Sequence, residues 1–311
     1  MKDDILQSQI EKGRLDDSGS FPKVVLIDTV SFCNLACSMC VHPVMTRQKG
    51  VMPWDLFTKI IDEVTVEDKN ARVWMVFFGE PFILKNRKPS IFDMIHYAKE
   101  KGLTDIVANT NANLMDEDSS HKLIEAGLDA IYIGIDAFTP ETYGKIRVKG
   151  DYDKTVKNIL YLLELKEQMK AEKPQVFVQF VEMDSNIHEK DDFIEFWSHH
   201  GATVKIRPKV SWGGLIDAPN LVMGDDDRWP CYWAMRTMSI TDTGKVVTCA
   251  VDLDARFIAG DVRESTLKNV WNGKLKELRM LHREKRFAEL PENCRCCKDW
   301  QSARADYYSM V

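Results

Sequence analysis

The sequence predicts an α/β fold in which six parallel βα units form an open barrel, followed by a small α+β unit built on a β-hairpin. Three observations predict it. From Lys23 onward, short β-branched runs alternate with longer stretches of helical period, the order that sets strands in parallel with helices between them. Within the runs, apolar and polar side chains alternate, so one face packs on helices and the other lines an interior. After Val210 this alternation gives way to a stretch rich in Gly, Pro and Asn, then to the acids of residues 225–227. A doubly wound open sheet also satisfies the first observation; the polar inner faces favour a barrel, with ligands near the C-terminal ends of its strands.

The predicted strands are residues 24–30, 72–78, 105–111, 130–137, 175–182 and 203–210. In the fourth, Ile131, Ile133 and Ile135 share one face while Tyr132, Gly134 and Asp136 share the other. In the sixth, Val204 and Ile206 oppose Lys205 and Arg207, and in the third Asn109 and Asn111 oppose Ile106 and Ala108. Pro53 opens one helix, Asp116 caps another, and Gly127 and Gly201 end two more. A domain boundary is expected near Leu221, dividing the chain into a short extension (1–22), a barrel (23–220) and a C-terminal unit (221–311). In that unit, residues 238–240 and 245–249 flank a turn at 241–244 and read as a hairpin, followed by helices around 267–271 and 274–289.

The chain has 311 residues, with 42 Lys and Arg against 48 Asp and Glu, a formal charge of −6 that argues against a nucleic-acid partner. No apolar run approaches the roughly 18 residues of a membrane span, and the polar N-terminus lacks the apolar region of a signal peptide. A cytoplasmic protein without a membrane partner is expected. Eight cysteines in such a chain point to metal ligation or redox chemistry, because reducing compartments keep thiols free.

Cys33, Cys37 and Cys40 follow the first strand as Cys-x3-Cys-x2-Cys. Three thiolates this close hold three corners of an iron–sulfur cube and leave one iron without a protein ligand. A structural zinc is the alternative, but it needs a fourth ligand, and His42 is an awkwardly short step from Cys40. Cys231, Cys249, Cys294 and Cys297 form a second set able to close on another cube or on tetrahedral zinc.

The first triplet, in its place after the first strand, resembles the defining motif of the radical S-adenosylmethionine (SAM) superfamily. Phe78-Gly79-Glu80-Pro81 is similar to the family's Gly-Gly-Glu-Pro motif, with Phe78 replacing the first glycine. The resemblance implies that Gly79, Glu80 and Pro81 contact the methionine amino group of SAM. It also implies that Asn109, Asn111, Asp136 and Gln179, with Arg147 in the stretch after Thr139, build the ribose, carboxylate and adenine contacts. Met39 stands where the family has an aromatic residue before the third cysteine; it is bulky and apolar, so shielding is retained. Residues 231–297 resemble the twitch domain, a shortened SPASM domain, which implies one auxiliary 4Fe-4S cluster on the second set of four cysteines. The fold implied is a partial (β/α)6 TIM-like barrel followed by a small α+β twitch domain.

By this resemblance, the open iron of the first 4Fe-4S cluster binds SAM, which is cleaved to a 5′-deoxyadenosyl radical with an electron from a flavodoxin- or ferredoxin-type donor. The radical then takes hydrogen from a small-molecule or peptide substrate. Similarity to the twitch dehydrogenases of aminocyclitols favours oxidation of a small polyol, with the auxiliary cluster as electron acceptor. Arg207, facing the lumen at a strand end, is the residue expected to orient the substrate, since arginine is too basic to be an ordinary proton acceptor. A peptide maturase is the second reading. A redox-neutral epimerase is the third, motivated by Cys296, the one cysteine left over from the two sets, as a hydrogen donor.

Overall fold

The computed structural model describes residues 7, 8, 10, 16, 19–76, 78–303 and 305–309, so most of the expected N-terminal extension lies outside the described residues. Six parallel strands, β1 (Val24–Ile27), β2 (Arg72–Trp74), β3 (Ile106–Thr110), β4 (Ala130–Gly134), β5 (Gln175–Glu182) and β6 (Thr203–Pro208), pair in sequence order. Between them run α1 (Trp54–Asp68), α2 (Ile91–Glu100), α3 (Glu117–Glu125), α4 (Pro140–Ile146), α5 (Tyr152–Gln168) and α6 (Lys190–His199). β1 and β6 do not pair with each other, which leaves the barrel partial.

The strand parity holds. Ile131, Ile133 and Ile135 are fully buried in the core between the strands and the outer helices, each worth about 1.5–3 kcal/mol of apolar burial. The Asp116 carboxylate accepts the Ser119 amide as the cap of α3, and Gly127 and Gly201 adopt φ of +81° and +83° just past α3 and α6, where a side chain would be strained. Most strands are shorter at their C-terminal ends than expected, because the residues beyond them leave the ladder to form the site.

The C-terminal unit departs from expectation in how it attaches. Its strands β7 (Thr237–Ile240), β8 (Lys245–Val247) and β9 (Ile258–Asp261) continue the barrel sheet: β7 pairs parallel with β1, and the β7–β8 hairpin turns at Gly244 with φ of +88°. β10 (Asp306–Tyr308) returns to pair antiparallel with β6, so a single ten-stranded sheet runs through both units. Four short helices complete the unit: α7 (Tyr232–Arg236), α8 (Leu267–Asn272), α9 (Lys274–Arg283) and α10 (Glu292–Arg295). Among the described residues, no helix is long and apolar enough to cross a membrane.

Candidate active site and auxiliary cluster site

At the C-terminal ends of the strands lies a cavity of about 160 Å³ whose lining brings together Cys33, Cys37 and Cys40 with Gly79, Glu80, Asn109, Asn111, Arg147, Gln179 and Arg207. The cysteine loop is held in place by its backbone: the Ala36 and Ser38 amides donate to the Val148 and Ile146 carbonyls, just past and at the end of α4. Gly79 is required here, since a Cβ would stand 1.9 Å from the Val30 carbonyl oxygen, and the Glu80 amide donates to Phe32 at 2.8 Å. His42 is not turned toward the thiols; its Nε2 lies 2.8 Å from the Ser31 carbonyl.

Glu80 is buried, and its carboxylate accepts from Thr110 Oγ1 (2.8 Å) and from the Asn111 (2.8 Å) and Phe82 (3.1 Å) amides. Burial outweighs these bonds and pushes its carboxyl up to about 7. Arg147 crosses the floor of the cavity over Gly134, where a Cβ would meet its Nη2 at 2.0 Å. It pairs with Asp136 and donates to Cys37 Sγ at 3.6 Å. Two expected contact residues sit elsewhere. Asp136 is fully buried behind Arg147, with φ of +61°, and accepts the Val181 amide, so it orients Arg147 rather than facing the cavity. Pro81 is buried at the start of the short 3-10 helix Pro81–Leu84 and does not line the cavity.

The residues fit the group the motif implies. Cys33, Cys37 and Cys40 all line this cavity, and Asn109 Oδ1, an acceptor buried with no partner, belongs to another residue of its lining. Trp212 closes the cavity from above: its indole N–H donates to the Met39 carbonyl at 2.8 Å and its ring packs on Phe78 at 5.4 Å.

A second cavity, of about 300 Å³, opens beneath the first and shares Asn109, Gln179, Arg207, Val210 and Trp212 with it. The lumen is less polar than expected. Trp74 and Tyr132 stack at 5.3 Å and Tyr132 and Phe177 at 4.5 Å on the inner faces of β2, β4 and β5, with Lys205 Nζ 4.6 Å from the Tyr132 ring. Parity put Tyr132 and Lys205 on the polar face; the aromatic layer with Trp74 and Phe177 becomes visible only with the register between strands. Arg207 lies at the junction of the two cavities, and among the described residues no hydrogen bond or ion pair is recorded for its guanidinium; burial lowers its pKa. Asp299, missed in the sequence, lines the second cavity and accepts the Ser211 (2.5 Å) and Gly213 (2.9 Å) amides, which ties the Trp212 loop to the C-terminal cysteines.

Cys231, Cys249, Cys294 and Cys297 line a third cavity, separated from the second by Val251, which lines both. Burial and their mutual proximity push the thiols of Cys249, Cys294 and Cys297 well up, so a buried four-thiol site of this kind favours a bound metal centre over free thiolates. Among the described residues, no three His, Cys, Asp or Glu side chains close on a single metal ion. Cys296 is exposed and lines none of the three cavities, which removes the geometric basis for a hydrogen-donor role.

Residues 27–169 match the radical SAM superfamily model and residues 231–298 match the SPASM iron–sulfur cluster-binding domain. A tungsten-containing aldehyde ferredoxin oxidoreductase cofactor-modifying protein from Pyrococcus furiosus is 28% identical over 171 residues, 53% of this chain and 45% of that protein. The chain thus spans about half the length of this relative. The S-adenosyl-L-methionine-dependent 2-deoxy-scyllo-inosamine dehydrogenase of Niallia circulans is 21% identical over 277 residues, 87% of this chain and 92% of that one. The crystal structure of Streptococcus suis SuiB bound to the precursor peptide SuiA shares the fold, with a TM-score of 0.66 at 14% identity over 85% of this chain and 68% of that chain. The two family models give the chain a radical SAM domain at residues 27–169 and a SPASM domain at residues 231–298, the pair that indicates SAM, a radical SAM 4Fe-4S cluster and an auxiliary iron–sulfur cluster.

Proposed function

We propose that the chain is an oxidoreductase that converts a hydroxyl-bearing carbon of a small polyol, sugar or aminocyclitol to a carbonyl. The observation that carries this reading is the placement of the lumen cavity between the two cysteine sites, sharing Arg207 with one and Val251 with the other. When bound, SAM on the first cluster supplies a 5′-deoxyadenosyl radical that takes one hydrogen atom, and the auxiliary cluster supplies an acceptor for the second electron.

In this reading the chain's own residues bind, orient and exclude. Cys33, Cys37 and Cys40 hold the first cluster, and Cys231, Cys249, Cys294 and Cys297 the second, leaving the second no open position for substrate. Glu80, on its Gly79–Pro81 turn, faces the methionine ammonium; Arg147, held by Asp136, faces the carboxylate; Asn109, Asn111 and Gln179 meet the ribose and adenine. Arg207 orients the substrate hydroxyl and stabilises negative charge as its proton leaves. Met39 and Trp212 keep water from the reacting carbon. An external one-electron donor of flavodoxin or ferredoxin type completes the reading. Residues 221–311 serve as the unit that carries the acceptor.

The test is a panel of polyols and aminocyclitols deuterated at the carbinol carbon, incubated anaerobically with reduced, reconstituted protein and SAM. Deuterium in 5′-deoxyadenosine together with a carbonyl product is expected. Deuterium transfer without a carbonyl, or turnover on peptides only, overturns it.

A further inference from the structure

Three N–H groups around the third cavity lack partners. Trp300 Nε1, His282 Nε2 and Arg228 Nε are each buried with no acceptor, and all three residues line the cavity together with the four cysteines. Their residues are 1%, 0% and 8% exposed, so water does not satisfy them from outside. An orphaned buried donor costs on the order of 1–3 kcal/mol, and three on one small cavity are not a packing accident of the kind found singly in other proteins.

Each donor is fixed by what surrounds it. The His282 ring accepts the Cys231 backbone N–H at Nδ1 (3.4 Å), which places the proton of the neutral ring on Nε2. Arg228 is anchored through its other nitrogens, which donate to the Arg295 (3.2 Å) and Cys294 (2.8 Å) carbonyls, and its guanidinium lies 4.9 Å from the Phe287 ring, leaving Nε as the free donor. Trp300 is set edge-on against Trp229 at 4.6 Å. The acceptors that would satisfy all three at once are sulfurs at the centre of the cavity, the sulfides and thiolates of a cluster.

We propose that Trp300, His282 and Arg228 donate to the sulfurs of the auxiliary cluster and thereby raise its reduction potential, making it an electron acceptor. Donors to cluster sulfurs, and a cation beside them, stabilise the reduced state, which carries one more negative charge. These are positioning and tuning residues, not catalytic ones. The inference rests on the assignment of the auxiliary cluster to the four C-terminal cysteines.

The experiment is a spectroscopic redox titration of the full-length chain carrying Cys33→Ala, Cys37→Ala and Cys40→Ala, so that only the auxiliary cluster is observed. Trp300→Phe and His282→Leu in this background are expected each to make reduction about tenfold less favourable, about 59 mV for a one-electron couple. His282→Gln, which keeps an N–H donor, restores most of the shift. Unchanged potentials with iron content intact overturn the proposal. Where a variant loses iron, the wild-type auxiliary cluster decides: in D2O, three exchangeable protons magnetically coupled to the reduced cluster are expected, and their absence overturns it. A background protein that binds no iron overturns the cysteine assignment instead, so the two failures are distinguishable.

Discussion

Glu80 is a buried carboxylate at the edge of the first cavity, and its chemistry follows from that burial. Because burial pushes its carboxyl up to about 7, the form that pairs with an ammonium is depleted as pH falls below 7. SAM affinity is therefore expected to weaken by up to about tenfold per pH unit below 7 and to level off above it, by equilibrium dialysis; Glu80→Gln binds weakly and without this slope. Gly134 is the second residue whose identity is set by a neighbour. Its Cβ would displace the Arg147 guanidinium, so Gly134→Ala is expected to raise the SAM dissociation constant about tenfold or more while leaving the chain folded, checked by calorimetric titration and far-ultraviolet dichroism. Cys296→Ala is expected to keep wild-type turnover, since the side chain is exposed and lines none of the three cavities described; a loss of turnover measured by deoxyadenosine release would reinstate the epimerase reading.

At the scale of elements, the segment between β1 and α1 carries the first three cysteines and is fastened by Arg47. Its guanidinium bridges Asp28 at the end of β1 and Asp242 in the hairpin turn, and its Nε donates to the Leu253 carbonyl at 2.9 Å. Arg47→Ala leaves two buried carboxylates facing each other and is expected to cost about 3–5 kcal/mol in denaturant unfolding, with loss of iron from the first cluster site. This fastening was not legible in the sequence, because the three partners are far apart along the chain. The β-strand faces were legible: Lys205 and Arg207, Asn109 and Asn111 point inward as their alternation required. So were the helix caps, which depend on residues a few positions apart. Asp136 and Pro81 fall outside the cavity lining because strand-end motifs specify the sequence neighbourhood of a ligand; Asp136, at positive φ, pairs with Arg147 instead. The aromatic layer of Trp74, Tyr132 and Phe177 needed the register between three strands.

Across the whole molecule, the continuous sheet explains how two cysteine sites, Cys33 to Cys40 and Cys231 to Cys297, far apart in sequence, come to border one lumen. β7 carries the auxiliary unit onto the β1 edge, and β10 brings the chain back to the β6 edge, so the lumen is walled by both units. Neither pairing is announced by composition: β7 reads as one arm of a hairpin, and β10 is three exposed residues. The arrangement sets Asp299, beside Cys297, against the loop that covers the cavity of the first three cysteines, so substrate enclosure and the acceptor site share one support.

Two clusters serving one lumen can be told apart in one anaerobic measurement. Reconstituted wild type and the Cys33, Cys37, Cys40 triple alanine variant are compared for iron, sulfide and zinc, then reduced in the presence of SAM. About eight irons per wild-type chain, about four in the variant, and 5′-deoxyadenosine from wild type only are the results this account predicts. About four irons with zinc in wild type, or deoxyadenosine from the variant, would contradict it.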